Sequence, residues 1–457
     1  MALGSRRTVS SAALTSDRVL EKLGLHRPEL RAWATYDWAL SGLQTVVQTA
    51  VFPIYFVTVA ASNYEPSAAT QQLARANVIA MIIVAIVSPI LGAIADYGAT
   101  KKKFLALFTL IGALGCAGMF TISDGEIGRA MTLYVVAMIG GTGCVVFYEA
   151  LLPHIARPEE MDRVSTAGYG LGYFGGGLLV ALNLAWIQRP EWFGLSSADL
   201  AARLSFVSVS VWWVLFAIPL FRRVPEPPRL LETDETPGEN ALVVAFRRLR
   251  ETLGALRGYR QAFLMLMAFL IYNDGIQTII KMATAFGTEI GIDRGALIAA
   301  VVMVQFVGVP FAFVFGRLAG RIGAKPAIFI GLLVYAAISI LGYNMRTATH
   351  FFILAFLVGM VQGGTQALSR SLFASMIPAH KSAEFFGFYS VFEKFAGVVG
   401  PLLFDLAITM TGSSRSAILS VIVFFAVGAV LLSRVNVAEG RAFAARRQRE
   451  LTAGLTG

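Results

Sequence analysis

Three series of polar residues recur at helical spacing inside otherwise apolar runs. Asp37, Ser41, Gln44 and Gln48 are four, three and four residues apart. Asn273, Gln277 and Lys281 are spaced by four with Asp274 beside the first, and Gln362, Gln366 and Arg370 are spaced by four as well. Tyr148 and Glu149 stand together near the end of a fourth run. Such spacing lines the members of a series along one helix face. Amides both donate and accept, so these faces are candidates for hydrogen-bonding a small polar solute. The alternative is that each stripe only ties its helix to a neighbour.

Charge lies deeper in three places: Asp274, Glu393 and Lys394. A charge at mid-membrane depth costs about 2.5 to 3.5 kcal/mol, which reserves such residues for pathways or buried partners. Asp274 or Glu393 is therefore expected to exchange a proton or to salt-bridge a solute, with a static ion pair as the competing reading. Neighbouring residues on a helix point about 100° apart. Glu393 and Lys394 are accordingly expected to find partners on other helices. Asp37 and Arg370, near the ends of their runs, could also snorkel to the interface.

Enzyme signatures are missing from the sequence. His26, His154, His350 and His380 are scattered without metal-ligand spacing, and no G-x-x-x-x-G-K-[ST] phosphate loop occurs. The sequence predicts no catalytic residue, no metal, no cofactor and no ATP-driven step. Gly170 to Gly175 satisfies G-x-G-x-x-G but sits in an apolar run of membrane length, where the dinucleotide reading has no strand to stand on. Cys116 and Cys144 also lie in apolar runs and read as small packing residues.

The elements that must position these groups follow from composition. Of 457 residues, 56% are hydrophobic and only 14% charged, and mean hydropathy is +0.67. A soluble domain carries about 25% charged residues. Apolar runs long enough for a bilayer number six between Trp38 and Phe221 and six between Ala262 and Leu432. The fold class expected is an all-α polytopic membrane protein of twelve transmembrane helices in two six-helix halves. Its parts are an N-terminal arm (1–37), a first half (38–222), a linker (223–260), a second half (261–433) and a basic tail (434–457).

The net charge of +10 serves topology in this reading and not nucleic acid. With both ends on one side, 29 of the 38 Lys and Arg residues fall on that side, so both termini are expected in the cytoplasm. The arm has no apolar signal core, and the first transmembrane helix is expected to act as the insertion signal. In the linker, Pro225, Pro227 and Pro228 precede an acidic stretch. Leu242, Phe246, Leu249, Leu253 and Leu256 then alternate with Arg247, Arg248, Arg250 and Arg257. That pattern suits an amphipathic helix on an anionic leaflet or, more plainly, a solvated connecting helix.

Glycines suggest where helices meet and bend. Gly168, Gly172 and Gly176 permit close approach on the fifth helix, and Gly397, Gly400 and Pro401 offer a bend in the eleventh. A repeat joins the halves: Gly92-Ala-Ile-Ala-Asp96-Tyr-Gly98-Ala-Thr-Lys101 matches Gly316-Arg-Leu-Ala-Gly320-Arg-Ile-Gly323-Ala-Lys325, about half a chain later. The four polar helices, first, fourth, seventh and tenth, occupy equivalent places in three-helix units and are expected to line a central cavity.

The Gly92 to Lys103 segment resembles the signature between the second and third helices of the major facilitator superfamily. The resemblance implies that Asp96 braces the second helix against the eleventh, with Gly92 and Arg370 as further gating candidates. Gly98 stands one position early, Ala99 occupies the place of the second glycine, and Gly320 replaces the acid in the second copy. Four blocks are similar to the vacuole-effluxer-like branch: Trp33 to Ala39, Tyr148 to His154 running on to Ser165, Gln362 to Ser371, and Glu384 to Tyr389. Leu40 and Glu149 stand where asparagine is usual there, and Glu393 where glycine is usual.

What the resemblance implies is export of amino acids or similar small polar solutes by alternating access, with protons as a candidate coupling ion. The expected partners are a small-molecule solute and the lipid bilayer, and the expected location is the plasma membrane, or the vacuolar membrane in a fungus. Two alternatives stand beside it. Multidrug or lipid efflux would want a more aromatic cavity with fewer amides, and a transport-inactive receptor or scaffold would act through its linker.

Overall fold

Prolines and small polar residues start the helices, and apolar length carries them across. The computed structural model describes residues 19–230, 235, 238–254, 258–396, 399–411 and 414–454. The first half comprises α1 (Pro28–Ala60), α2 (Pro66–Gly98), α3 (Lys101–Gly118), α4 (Ile127–Ala150), α5 (Met161–Gln188) and α6 (Ala198–Arg223). A linker helix follows (Ala241–Gly254). The second half comprises α7 (Arg260–Glu289), α8 (Arg294–Ile322), α9 (Ala324–Tyr343), α10 (Ala348–Ala374), α11 (Ser382–Phe395 and Val399–Thr411) and α12 (Ser414–Ser420 and Ile422–Ser433). A terminal helix (Val437–Gly454) ends the chain's described part. Pro28 and Pro66 open α1 and α2, where a missing N–H costs nothing.

Eleven of these spans are long and apolar enough to cross a membrane. The twelfth element, α11, is divided. Its first piece stops at Phe395, Ala396 is extended (φ −61°, ψ 135°), and the pieces of 14 and 13 residues fall short separately. The break falls in the segment expected to bend; Gly397 lies outside the described residues. With twelve elements, the start of α1 and the end of α12 share one end of the bundle, called here the terminus-bearing end.

α1 departs from ordinary winding. Between Leu43 and Ala50, and again between Phe56 and Ala60, its turns widen to π-helix, with Val51 N–H reaching the Val46 carbonyl and Ala61 N–H the Phe56 carbonyl, both at 2.8 Å. Such bulges gather at functional sites.

The structure shows a repeat one residue out of the register read from the sequence: Lys102, and not Lys101, is the counterpart of Lys325. Lys102 Nζ donates to the Phe221 and Val224 carbonyls at the end of α6. Lys325 Nζ does the same to Ser433 and Val435 at the end of α12, 2.8 Å to each. Cations at helix C-termini satisfy carbonyls that have no partner in the helix. Glycines on α5 admit its neighbours: Gly168 and Gly172 abut Asp37 and Ser41 of α1, and Gly170 abuts Phe313 of α8.

The linker helix corrects an expectation. Its arginines do not all face out: Arg248 is fully buried, paired with Glu235 through two N–H donors and set over the Tyr97 ring of α2. Glu235 neutralises it, which makes the burial tolerable. The helix buries Val244, Ala245, Arg248 and Thr252 and exposes Leu242, Val243 and Phe246. The Leu253 side chain, Leu256 and Arg257 lie outside the described residues.

Candidate solute-binding cavity

A cavity of about 440 Å³ lies between the halves. It reaches the first turn of α10 at Phe351 and the connection after α9 at Met345, so it extends to the end opposite the termini. The stripe on α1 keeps to it: Asp37, Ser41, Gln44 and Gln48 all line it, and the widened turn adds Thr49. Gln362, Gln366 and Arg370 line it from α10, Tyr148 and Glu149 from α4, Gln277 and Lys281 from α7, and Glu393 and Lys394 from α11. Asn77 and Gln305 add two amides that no sequence stripe contained.

Two of the candidates sit elsewhere. Asn273 is fully buried and absent from the cavity wall. On α7 the wall runs without a gap from Gln277 to Ala283, and Asn273 lies one turn nearer the terminus-bearing end, short of where the wall begins. Asp274 also lies off the wall. Its Oδ1 accepts the Gly400 N–H at 3.0 Å, and it thereby caps the second piece of α11 where the break leaves backbone donors unsatisfied. Asp274 thus holds the break. Glu393 and Lys394 overturn the expectation of separate partners, because they pair with each other at 3.3 Å. Both stand in the last turn before the break, and their long side chains curl together toward the cavity.

The cavity ends at a floor near the termini, built around Arg370. Arg370 is 1% exposed; its guanidinium lies 3.2 Å from Asp37 Oδ2 and 3.7 Å from Glu149 Oε1 and donates to Ser165 Oγ and to the Ser165 carbonyl, both at 2.9 Å. Trp33 and Tyr169 flank it with ring centres at 4.8 and 4.6 Å. Weakly hydrated and planar, guanidinium accepts such stacking. Ser165 Oγ also donates to the Ala367 carbonyl, and Ser371 Oγ donates to Asp162 Oδ1 at 2.6 Å. Arg370 therefore does not snorkel outward; it ties α10 to α1, α4 and α5.

A second seam joins α2 to α11. Asp96 accepts the N–H groups of Ala383 (3.3 Å) and Glu384 (2.8 Å) at the start of α11 and is ion-paired to Lys101 at 2.6 Å. The carboxylate satisfies backbone donors at a helix N-terminus while meeting its positive dipole. Gly92, one turn deeper, lets α2 touch the Ala383 and Glu384 backbone; a Cβ there would overlap it. Nearby, Ser382 Oγ donates to the Ala150 carbonyl of α4 and meets His154 Nε2 at 3.2 Å.

Sequence reasoning missed Ser165, Asp162, Ser371, Ser382 and His154 as a network. The signal was present: the four blocks that carry the family resemblance converge on these seams. Among the described residues, no group of three His, Cys, Asp or Glu side chains gathers to hold a metal ion.

Two six-helix halves around a polar cavity closed at one end define a transporter of the major facilitator fold. Solved structures of that fold superimpose on the chain at 13–14% identity. The major facilitator superfamily transporter FucP in its outward conformation gives a TM-score of 0.68, covering 90% of this chain and 100% of that one. The proton:xylose symporter XylE gives 0.66, covering 91% and 96%. A profile described as "Vacuole effluxer Atg22 like" matches residues 73–445, and the chain belongs to that family. It is 37% identical over 406 residues to the uncharacterized MFS-type transporter YxiO of Bacillus subtilis, covering 88% of this chain and 94% of that one. It is 26% identical over 301 residues to autophagy-related protein 22-1 of Penicillium rubens, where the match spans 61% of this chain and half of the fungal protein.

Proposed function

We propose that this transporter exports amino acids or similar small polar solutes by alternating access. The observation that carries the reading is the lining: Gln44, Gln48, Gln277, Gln305, Gln362 and Gln366 all face the cavity, with charged groups at its floor and wall. Amides grip a polar solute through directional hydrogen bonds, and they are poor walls for an amphipathic drug or a lipid. With both termini in the cytoplasm, as the Lys and Arg distribution predicts, the cavity faces outward and the two seams close the cytoplasmic end. Rocking the halves would open the seams and present the same cavity to the cytoplasm.

Counterflow tests this. Proteoliposomes preloaded with an unlabelled amino acid should draw in the labelled one, and Gln362→Leu with Gln366→Leu should weaken the apparent affinity at least about tenfold, the loss expected when buried polar partners go unmatched. Absence of counterflow for any member of an amino-acid panel, with transport of amphipathic cations instead, would overturn the reading.

A further inference from the structure

We propose that Glu149 is the residue on which the transport cycle carries a proton, and that this proton loosens the hold of Arg370 on the terminus-bearing end. The inference rests on the transporter reading and deepens it. Its basis is a charge count at the floor. Two carboxylates, Asp37 and Glu149, lie within 4 Å of a single guanidinium. Both line the cavity, and a surplus negative charge held away from bulk water is costly. The surplus is removed most simply by one H⁺ taken from the water of the cavity onto a carboxylate oxygen.

Geometry selects Glu149. Asp37 Oδ2 is hydrogen-bonded to Nη2 at 3.2 Å, while Glu149 Oε1 stands 3.7 Å from Nη1, beyond hydrogen-bond length. The Glu149 side chain is also the more buried, 6% exposed against 16% for Asp37. A proton on Glu149 therefore gives up the weaker contact and leaves Asp37 its bond.

The other charged and titratable groups around Glu149 do not substitute for that proton. They are Glu393, Lys394 and Tyr389 on α11, Tyr169 on α5, Asp37 on α1 and Arg370 on α10, with Tyr148 on its own helix. Lys394 is matched by Glu393 at 3.3 Å, so that pair brings no net positive charge.

The direction of the effect follows from which half each group belongs to. Asp37 and Glu149 are on the first half and Arg370 on the second, so each ion pair is an attraction across the seam. Protonating Glu149 removes one of the two. The polar hold on Arg370 is then left to Asp37 and Ser165, and opening becomes easier. Once the end has opened, Glu149 returns the proton to water on the terminus-bearing side, regains its charge and favours closure again. Proton movement toward that side is thereby linked to solute leaving by the opposite one.

The test needs no solute. Nitroxides are placed at the exposed positions Glu159→Cys and Arg321→Cys, one in each half at the terminus-bearing end, with Cys116 and Cys144 replaced by alanine. Distances are read by pulsed electron resonance in lipid nanodiscs from pH 9 to pH 5. The long-distance population should rise about tenfold as the pH falls, a coupling of ordinary size. Glu149→Gln should show the long distance at every pH, and Glu149→Asp should restore the pH response. A wild-type distribution indifferent to pH, a Gln variant with the wild-type response, or a shift toward closure in acid would each overturn the proposal. Counterflow is scored separately. A protein that keeps this pH response and moves no solute overturns the transporter reading and leaves the proton site standing.

Discussion

Across the α2–α11 seam the charged group is an acid, Asp96, and what it holds is backbone: two N–H groups that open α11. Across the α5–α10 seam the charged group is a base, Arg370, and it holds two carboxylates and a serine from three different helices. The first seam is remote from the cavity, since neither Gly92 nor Asp96 lines it, whereas Arg370 forms part of its floor. One seam thus only sets how stably the end is shut. The other can also feel what the cavity contains.

The largest effect should come from Arg370→Ala. It leaves Asp37 and Glu149 without their cation, a loss of about 3–5 kcal/mol for breaking a buried pair, and should abolish counterflow and lower the unfolding midpoint together. Asp96→Asn should cost about 2–3 kcal/mol of closure, because a charge-assisted bond to two amides weakens and Lys101 loses its partner. Solute affinity measured at the open cavity should stay as in the wild type; a changed affinity would break the distinction between the seams. Ser371→Ala removes the bond to Asp162 and should favour opening by about 1.5 kcal/mol, read from the same spin-label distances.

Ala99→Gly, at the end of the helix that carries Asp96, gives the smallest change. Ala99 ends α2 at φ +49°, a left-handed conformation that a side chain resists. Glycine there should raise thermal stability by about 1 kcal/mol with transport unaltered.

The helices and their division into halves were legible because membrane crossing is a matter of apolar length, which any window of sequence displays. Polar stripes were legible on α1 and α10 for a similar reason: spacing fixes a face. On α7 the same spacing misled at Asn273, since the wall there begins only at Gln277, one turn further along the helix. The floor was not legible as a unit. Arg370 and Asp37 are 333 residues apart and meet only through the packing of α10 against the first half. Nor could sequence tell that Glu393 and Lys394 pair, because that depends on the helix ending just after them. The family blocks marked the right segments, and the fold alone says that they face one another.

Transport requires the closed end to open, and one cross-link examines this directly. Asp162→Cys and Ser371→Cys replace partners whose side chains now meet at 2.6 Å across the α5–α10 seam. With the disulfide formed, counterflow should stop, and reduction should restore it in the same proteoliposomes. Counterflow that continues under quantitative cross-linking at the rate of the reduced protein would show that transport does not need the seam to open.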